Sequence, residues 1–136
     1  MMIDDVSVLP SQDAVSSYWF EAAKQGKLLL QRDPVSGEPQ FYPRSHIIGH
    51  PDRQPEWFEA SGNGILHTYT VVKRSVHPQF ASHTPFTLAI VDLEEGPRIT
   101  SWIVDVSEDE LHCDMPLKAV FREIHPGLTM PCFTKA

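Results

Sequence analysis

Metal chemistry is the first possibility the residue types raise, because His46 and His50 stand in an H-x3-H spacing with Asp33 upstream. Zinc sites in small ribbons draw four Cys or His ligands, two from each of two turns. The upstream turn, Asp33-Pro34-Val35-Ser36-Gly37, offers a carboxylate and a hydroxyl, and a serine hydroxyl is a poor zinc ligand. This region therefore reads as a ribbon held by packing, with no metal. Seven histidines invite a search for a nucleophile and its base, yet no G-x-S-x-G elbow occurs. Cys113 and Cys132 stand far apart with no CxxC spacing, and Cys132, between Pro131 and Phe133, reads as a buried thiol. The chain is expected to carry no catalytic residues of its own. One polar group remains: the loop His77-Pro78-Gln79-Phe80, with Arg98 on a neighbouring arm. A rigid His-Pro beside an aromatic suits a ligand or partner contact, and a guanidinium can hold a phosphate or carboxylate. Equally, Phe80 could pin the loop to its own domain and Arg98 could be solvated.

The element that must position these residues is a hairpin, Pro85 to Val104. In its first arm Phe86, Leu88 and Ile90 point one way and Thr87, Ala89, Val91 and Leu93 the other, so a central strand covered on both faces is expected. Glu94-Glu95-Gly96-Pro97 makes the turn, and Arg98, Thr100 and Trp102 share one face of the return arm. Before the hairpin, Ile65 to Arg74 alternates as a strand, with Ile65, His67, Tyr69 and Val71 on one side. After it, Ser107-Glu108-Asp109-Glu110 reads as a capped helical turn, and Leu117 to Ile124 and Thr129 to Phe133 as strands. Five antiparallel strands with a short helical insert after the third suit a small Greek-key barrel of the OB type.

Upstream, residues 1–10 read as a tail. A helix follows with Ser11 as N-cap and Gly26 as its stop. Tyr18, Trp19 and Phe20 are too wide for one buried stripe, so one of them is expected to face a partner while core packing takes the others. Lys27 to Arg32, Phe41 to Arg44 and Glu56 to Ala60 supply the extended arms of the ribbon. The organisation expected is thus mainly β: residues 1–26 tail and N-terminal helix, 27–60 ribbon module, 61–136 barrel. A net charge of −7 over 136 residues argues against a general polyanion binder. No apolar run reaches the length of a membrane span and no signal-peptide pattern opens the chain, which places it in the cytoplasm.

The ordered set YWFEAAKQGKLLLQR, FYPR, SGNGILHTYTVV, HPQF, PFTLAIVDLEEGPR, MPLKAVF and a terminal P-x-F resembles the acyl-CoA-associated OB-fold family with an N-terminal rubredoxin-like zinc ribbon. The resemblance runs from about Ser16 to Phe133. It implies a non-catalytic accessory subunit of a thiolase-like or acyl-transfer enzyme, in a hetero-oligomer. That subunit would brace the catalytic chains and help enclose an acyl intermediate, holding no cofactor tightly but lying close to the coenzyme A of its partner. On this reading Tyr18, Trp19 and Arg44 form interface, and His77, Phe80 and Arg98 touch ligand or partner. The two CxxC knuckles of the family pattern fall here on Asp33, Ser36, Ile47 and His50, so all four cysteines are substituted and the metal is read as lost. Two rival functions are a single-stranded nucleic-acid binder stacking bases on Tyr69 and Trp102, and a small acyl-CoA thioester hydrolase using His77. The scarcity of Lys and Arg counts against the first.

Overall fold

Helix α1 (Ala14–Lys24) begins at Asp13, two residues after the expected Ser11 cap. The Asp13 carboxylate accepts from the Ser16 N–H at 2.8 Å and the Ser16 hydroxyl accepts from the Asp13 N–H at 2.9 Å. A carboxylate satisfying an orphan donor at the positive end of the helix is the better cap, which is why the start moves there. The computed structural model describes residues 10–75 and 77–136, so the expected tail, apart from Pro10, lies outside the described residues, as does Val76.

The ribbon is a three-stranded antiparallel sheet in the order β2 (Pro39–Gln40), β1 (Leu29–Arg32), β3 (Glu56–Glu59). The second arm, expected at Phe41 to Arg44, lies just ahead of that segment. The reason is the Gln31 amide, which donates to the Arg44 carbonyl at 2.8 Å and accepts from the Arg44 N–H at 2.9 Å. With both backbone groups of Arg44 taken by a side chain, that end of the segment has no need of a ladder.

The remaining strands close into a barrel: β4 (Asn63–Val72), β5 (Phe86–Leu93), β6 (Arg98–Ile103), β7 (Pro116–His125) and β8 (Leu128–Lys135), in the order β4-β5-β6-β8-β7 with β7 returning to β4. This is an OB-type barrel. The expectation of five antiparallel strands needs one correction, because β6 and β8 run parallel, joined at Ile103 and Phe133. An odd ring cannot alternate direction all the way round, so one neighbouring pair must be parallel. That seam is short and is reinforced by the Val104 N–H to the Phe133 carbonyl at 2.8 Å and by the buried Ser101 hydroxyl, which donates to the Pro131 carbonyl at 2.6 Å. Gly64 sits where β4 pairs with both β5 and β7. A Cβ there would stand 2.6 Å from Val91 Cγ1, so only glycine admits the approach that closes the barrel.

Strict alternation along β4 also fails. A bulge between Leu66 and Thr68 resets the register, so Leu66, Tyr69 and Val71 turn to the core while Ile65 and His67 face outward. In β5 the inner set Thr87, Ala89, Val91 and Leu93 is buried as expected. The outer set is not fully covered: Phe86 and Ile90 are half-buried and Leu88 is 37% exposed. Around the barrel axis Leu66, Val91, Leu117 and Phe133 are almost completely buried. They belong to one apolar cluster with Trp19 and Ala22 of the helix and Leu28, Leu29 and Leu30 of the ribbon. Leu111 and Met115, from the insert around the 3-10 turn Glu108–Glu110, cap the barrel end, where Tyr69 donates to the Leu111 carbonyl at 3.2 Å.

Candidate functional site

The four positions that the family resemblance assigns to metal ligands do meet in space. Asp33, Ser36, Ile47 and His50 line one cleft of about 320 Å³ at the base of the ribbon. Their chemistry does not suit a metal. Ile47 has no donor atom, the Ser36 hydroxyl accepts from the Glu38 N–H, and the Asp33 carboxylate holds the Arg53 guanidinium at 2.7 Å. A cation entering the cleft would meet that permanent positive charge, and thiolates, which give such sites their affinity, are missing from it. Among the described residues no cluster of three His, Cys, Asp or Glu side chains could hold a metal ion. The Asp33 carboxyl is held below the usual carboxylate range, first by the Val35 N–H and then by Arg53, against the opposing effect of burial.

Of the three residues expected at an interface, the structure joins two. Tyr18, 54% exposed, and Arg44 line a common cleft between α1 and the ribbon, where the Tyr18 ring meets Trp57 at 5.0 Å. Trp19 points into the core at 6% exposure, its indole N–H donating to the Leu29 carbonyl at 2.9 Å. Its rim also borders an apolar groove of about 270 Å³ with Phe20, Phe41, Tyr42, Met130 and Pro131. Trp57 completes the Tyr18 cleft only because β3 pairs with β1, a placement with no local signal.

The loop residues line neither of these clefts. Phe80, in the 3-10 turn Pro78–His83, packs on Trp102 at 6.2 Å and on His77 at 5.7 Å. Trp102 in turn stacks on Phe86 at 4.4 Å, so the loop is fastened to the outer face of β5 and β6 by an aromatic cluster beside the exposed Leu88. Arg98 is at the far end of β6 from Trp102, about 13 Å away along the strand. Its Nε donates to Asp92 at 2.6 Å, and His67 Nδ1 lies 3.3 Å from the same carboxylate. Arg98 and the His77–Phe80 loop are therefore separate features of the surface. No helix among the described residues is long and apolar enough to cross a membrane.

Comparison with known proteins places this architecture. The family described as "ChsH2, C-terminal OB-fold domain" matches residues 57–122. A chain of the Ltp2-ChsH2(DUF35) aldolase is 30% identical, superposes with a TM-score of 0.82, and the match covers 93% of this chain and 98% of that one. The chain belongs to the acyl-CoA-associated OB-fold family, DUF35. A DUF35 domain-containing scaffold protein of Methanocaldococcus jannaschii is 39% identical over 62% of this chain and 60% of its own length. The probable enoyl-CoA hydratase alpha subunit of Thermomonospora curvata is 31% identical over 93% of this chain but only 39% of its own length. The chain thus spans between about two-fifths and three-fifths of these two curated relatives. A DUF35 protein of unknown function from Sulfolobus solfataricus, 11% identical with a TM-score of 0.63, shares the fold.

Proposed function

We propose that this DUF35 chain is a non-catalytic accessory subunit in a hetero-oligomer with a thiolase-like or acyl-transfer enzyme, bracing the catalytic subunits and helping to enclose an acyl-CoA-derived intermediate. The observation that carries the reading is its near end-to-end likeness to a chain of the Ltp2-ChsH2(DUF35) aldolase, whose name joins a DUF35 protein to a second component. The scaffold description of the archaeal relative agrees with it. Two surfaces support a partner. Tyr18 and Arg44 offer an aromatic and a cation, residue types that dominate interface energetics. Beside the His77–Phe80 loop, Leu88 of β5 is an exposed apolar side chain.

Affinity purification of the tagged chain from its native cell extract, with mass spectrometry of co-purifying proteins, tests the proposal. A stoichiometric thiolase-fold or acyl-transfer enzyme supports it. A chain that emerges alone, or with nucleic acid, overturns it. Two substitutions then separate interface from core. Tyr18→Ala should weaken the complex and lower the isolated melting temperature only slightly, because the residue is more than half exposed and its aromatic contact is with Trp57. Trp19→Ala should cost about 3–5 kcal/mol of folding stability, the range for deleting a buried aromatic.

A further inference from the structure

We propose that the ribbon is held shut by a clamp internal to the chain, made of Arg53, Asp33, Gln31 and Gln40, which takes the structural place of a metal ion. A bridging ion in a ribbon ties the first turn to the second. Here the connection is the same but the linker is a side chain. Arg53 belongs to the second turn through its backbone: its N–H donates to the His50 carbonyl at 3.0 Å and its carbonyl accepts from the Ile47 N–H at 3.2 Å. Its guanidinium crosses to the first turn and meets the Asp33 carboxylate at 2.7 Å. Asp33 is 4% exposed, and its other oxygen accepts from the Val35 N–H at 2.8 Å, so the buried charge is both paired and hydrogen-bonded.

Two buried amides finish the closure. Gln31 bonds both backbone groups of Arg44, as described above. Gln40 donates to the Gln31 side-chain oxygen Oε1 at 2.9 Å and to the His46 backbone carbonyl at 3.2 Å, and accepts from the Ile48 N–H at 3.0 Å. The loop between β2 and β3 is thereby stitched to β1 and β2 at Arg44, His46 and Ile48, and to the first turn at Asp33. Among the described residues neither glutamine has a buried side-chain atom left without a partner. This is a fully satisfied polar network, the condition under which burying polar groups specifies a structure. Neither a bound ion nor a partner surface is needed to keep the two turns apposed.

Hydrogen exchange read by mass spectrometry on the isolated full chain, after dialysis against EDTA and again with zinc chloride added, tests the clamp, with zinc counted by elemental analysis. The expected result is substoichiometric zinc, slow exchange across residues 33–53, and no change on adding the metal. In R53M exchange across that segment should rise roughly tenfold or more while the barrel stays protected, since losing one partner strands a buried charge. Should R53M not fold, R53K is read in its place and should fall between, because lysine keeps the charge but loses the planar fork. Stoichiometric zinc whose removal opens the segment would overturn the clamp. So would a wild-type ribbon that exchanges freely until a partner enzyme is added, or an R53M ribbon that exchanges as slowly as wild type.

Discussion

Cys132 and Cys113 differ only in where the fold puts them, and the difference decides their chemistry. Cys132, in β8, is 2% exposed, and burial pushes its thiol up to about 11 despite the Arg122 charge and the Ser101 hydroxyl acting the other way. Cys113 is exposed in the insert before β7. Only a thiolate attacks an alkylating reagent, so iodoacetamide at about pH 8 should modify one thiol per native chain, at Cys113. The second should react only after denaturation. Intact-mass measurement distinguishes the two, and rapid double labelling of the native chain would show that β8 does not bury its thiol. Trp19 and Tyr18 make the same point for neighbours on one helix. The rotation of about 100° between successive helix residues sends the first into the core and the second into a surface cleft.

At the scale of the element, the 3-10 turn Glu108–Glu110, none of whose own residues is buried, shows how a short segment is fixed by polar contacts. The Ser107 hydroxyl donates to the Glu110 carboxylate at 2.7 Å, and Lys135 of β8 reaches the other oxygen at 3.1 Å. These contacts, the Ser107 hydroxyl first, hold the Glu110 carboxyl down to about 2 from an ordinary 4.5. Because the folded value lies below the unfolded one, the stabilisation is complete above about pH 4.5 and is lost as pH falls towards 2. Melting temperatures across that window should fall less steeply for Glu110→Gln than for wild type. Parallel slopes would mean that Glu110 makes no contribution in this range. The capping box at Ser107 was legible from spacing alone, whereas the Lys135 contact, 25 residues away, was not.

For the whole molecule, the decisive feature is that helix, ribbon and barrel share one apolar cluster. Trp19 from the helix, Leu30 from the ribbon and Phe133 from the barrel lie in it together. Segments whose buried surface is mutual lose it together, so unfolding should be a single transition with equal calorimetric and van't Hoff enthalpies. Differential scanning calorimetry checks this directly, and a separate low-temperature transition of the ribbon would contradict it.

What the sequence by itself determined is what short-range patterning controls. Alternation placed the hairpin of β5 and β6, turn residues placed its reversal, and the run of elements specified an OB-type barrel behind a helix and ribbon. The four substituted knuckle positions could be named only through the family resemblance. Tertiary structure decided everything that depends on partners distant in the chain. The parallel β6–β8 seam follows from closing an odd ring, and the bulge in β4 reverses the side chains that simple alternation assigns. Arg98 parted from the His77–Phe80 loop because strand length, not sequence proximity, sets their separation. Arg53 gave no local sign of importance: its carboxylate partner is 20 residues away and is brought to it only by the folded ribbon.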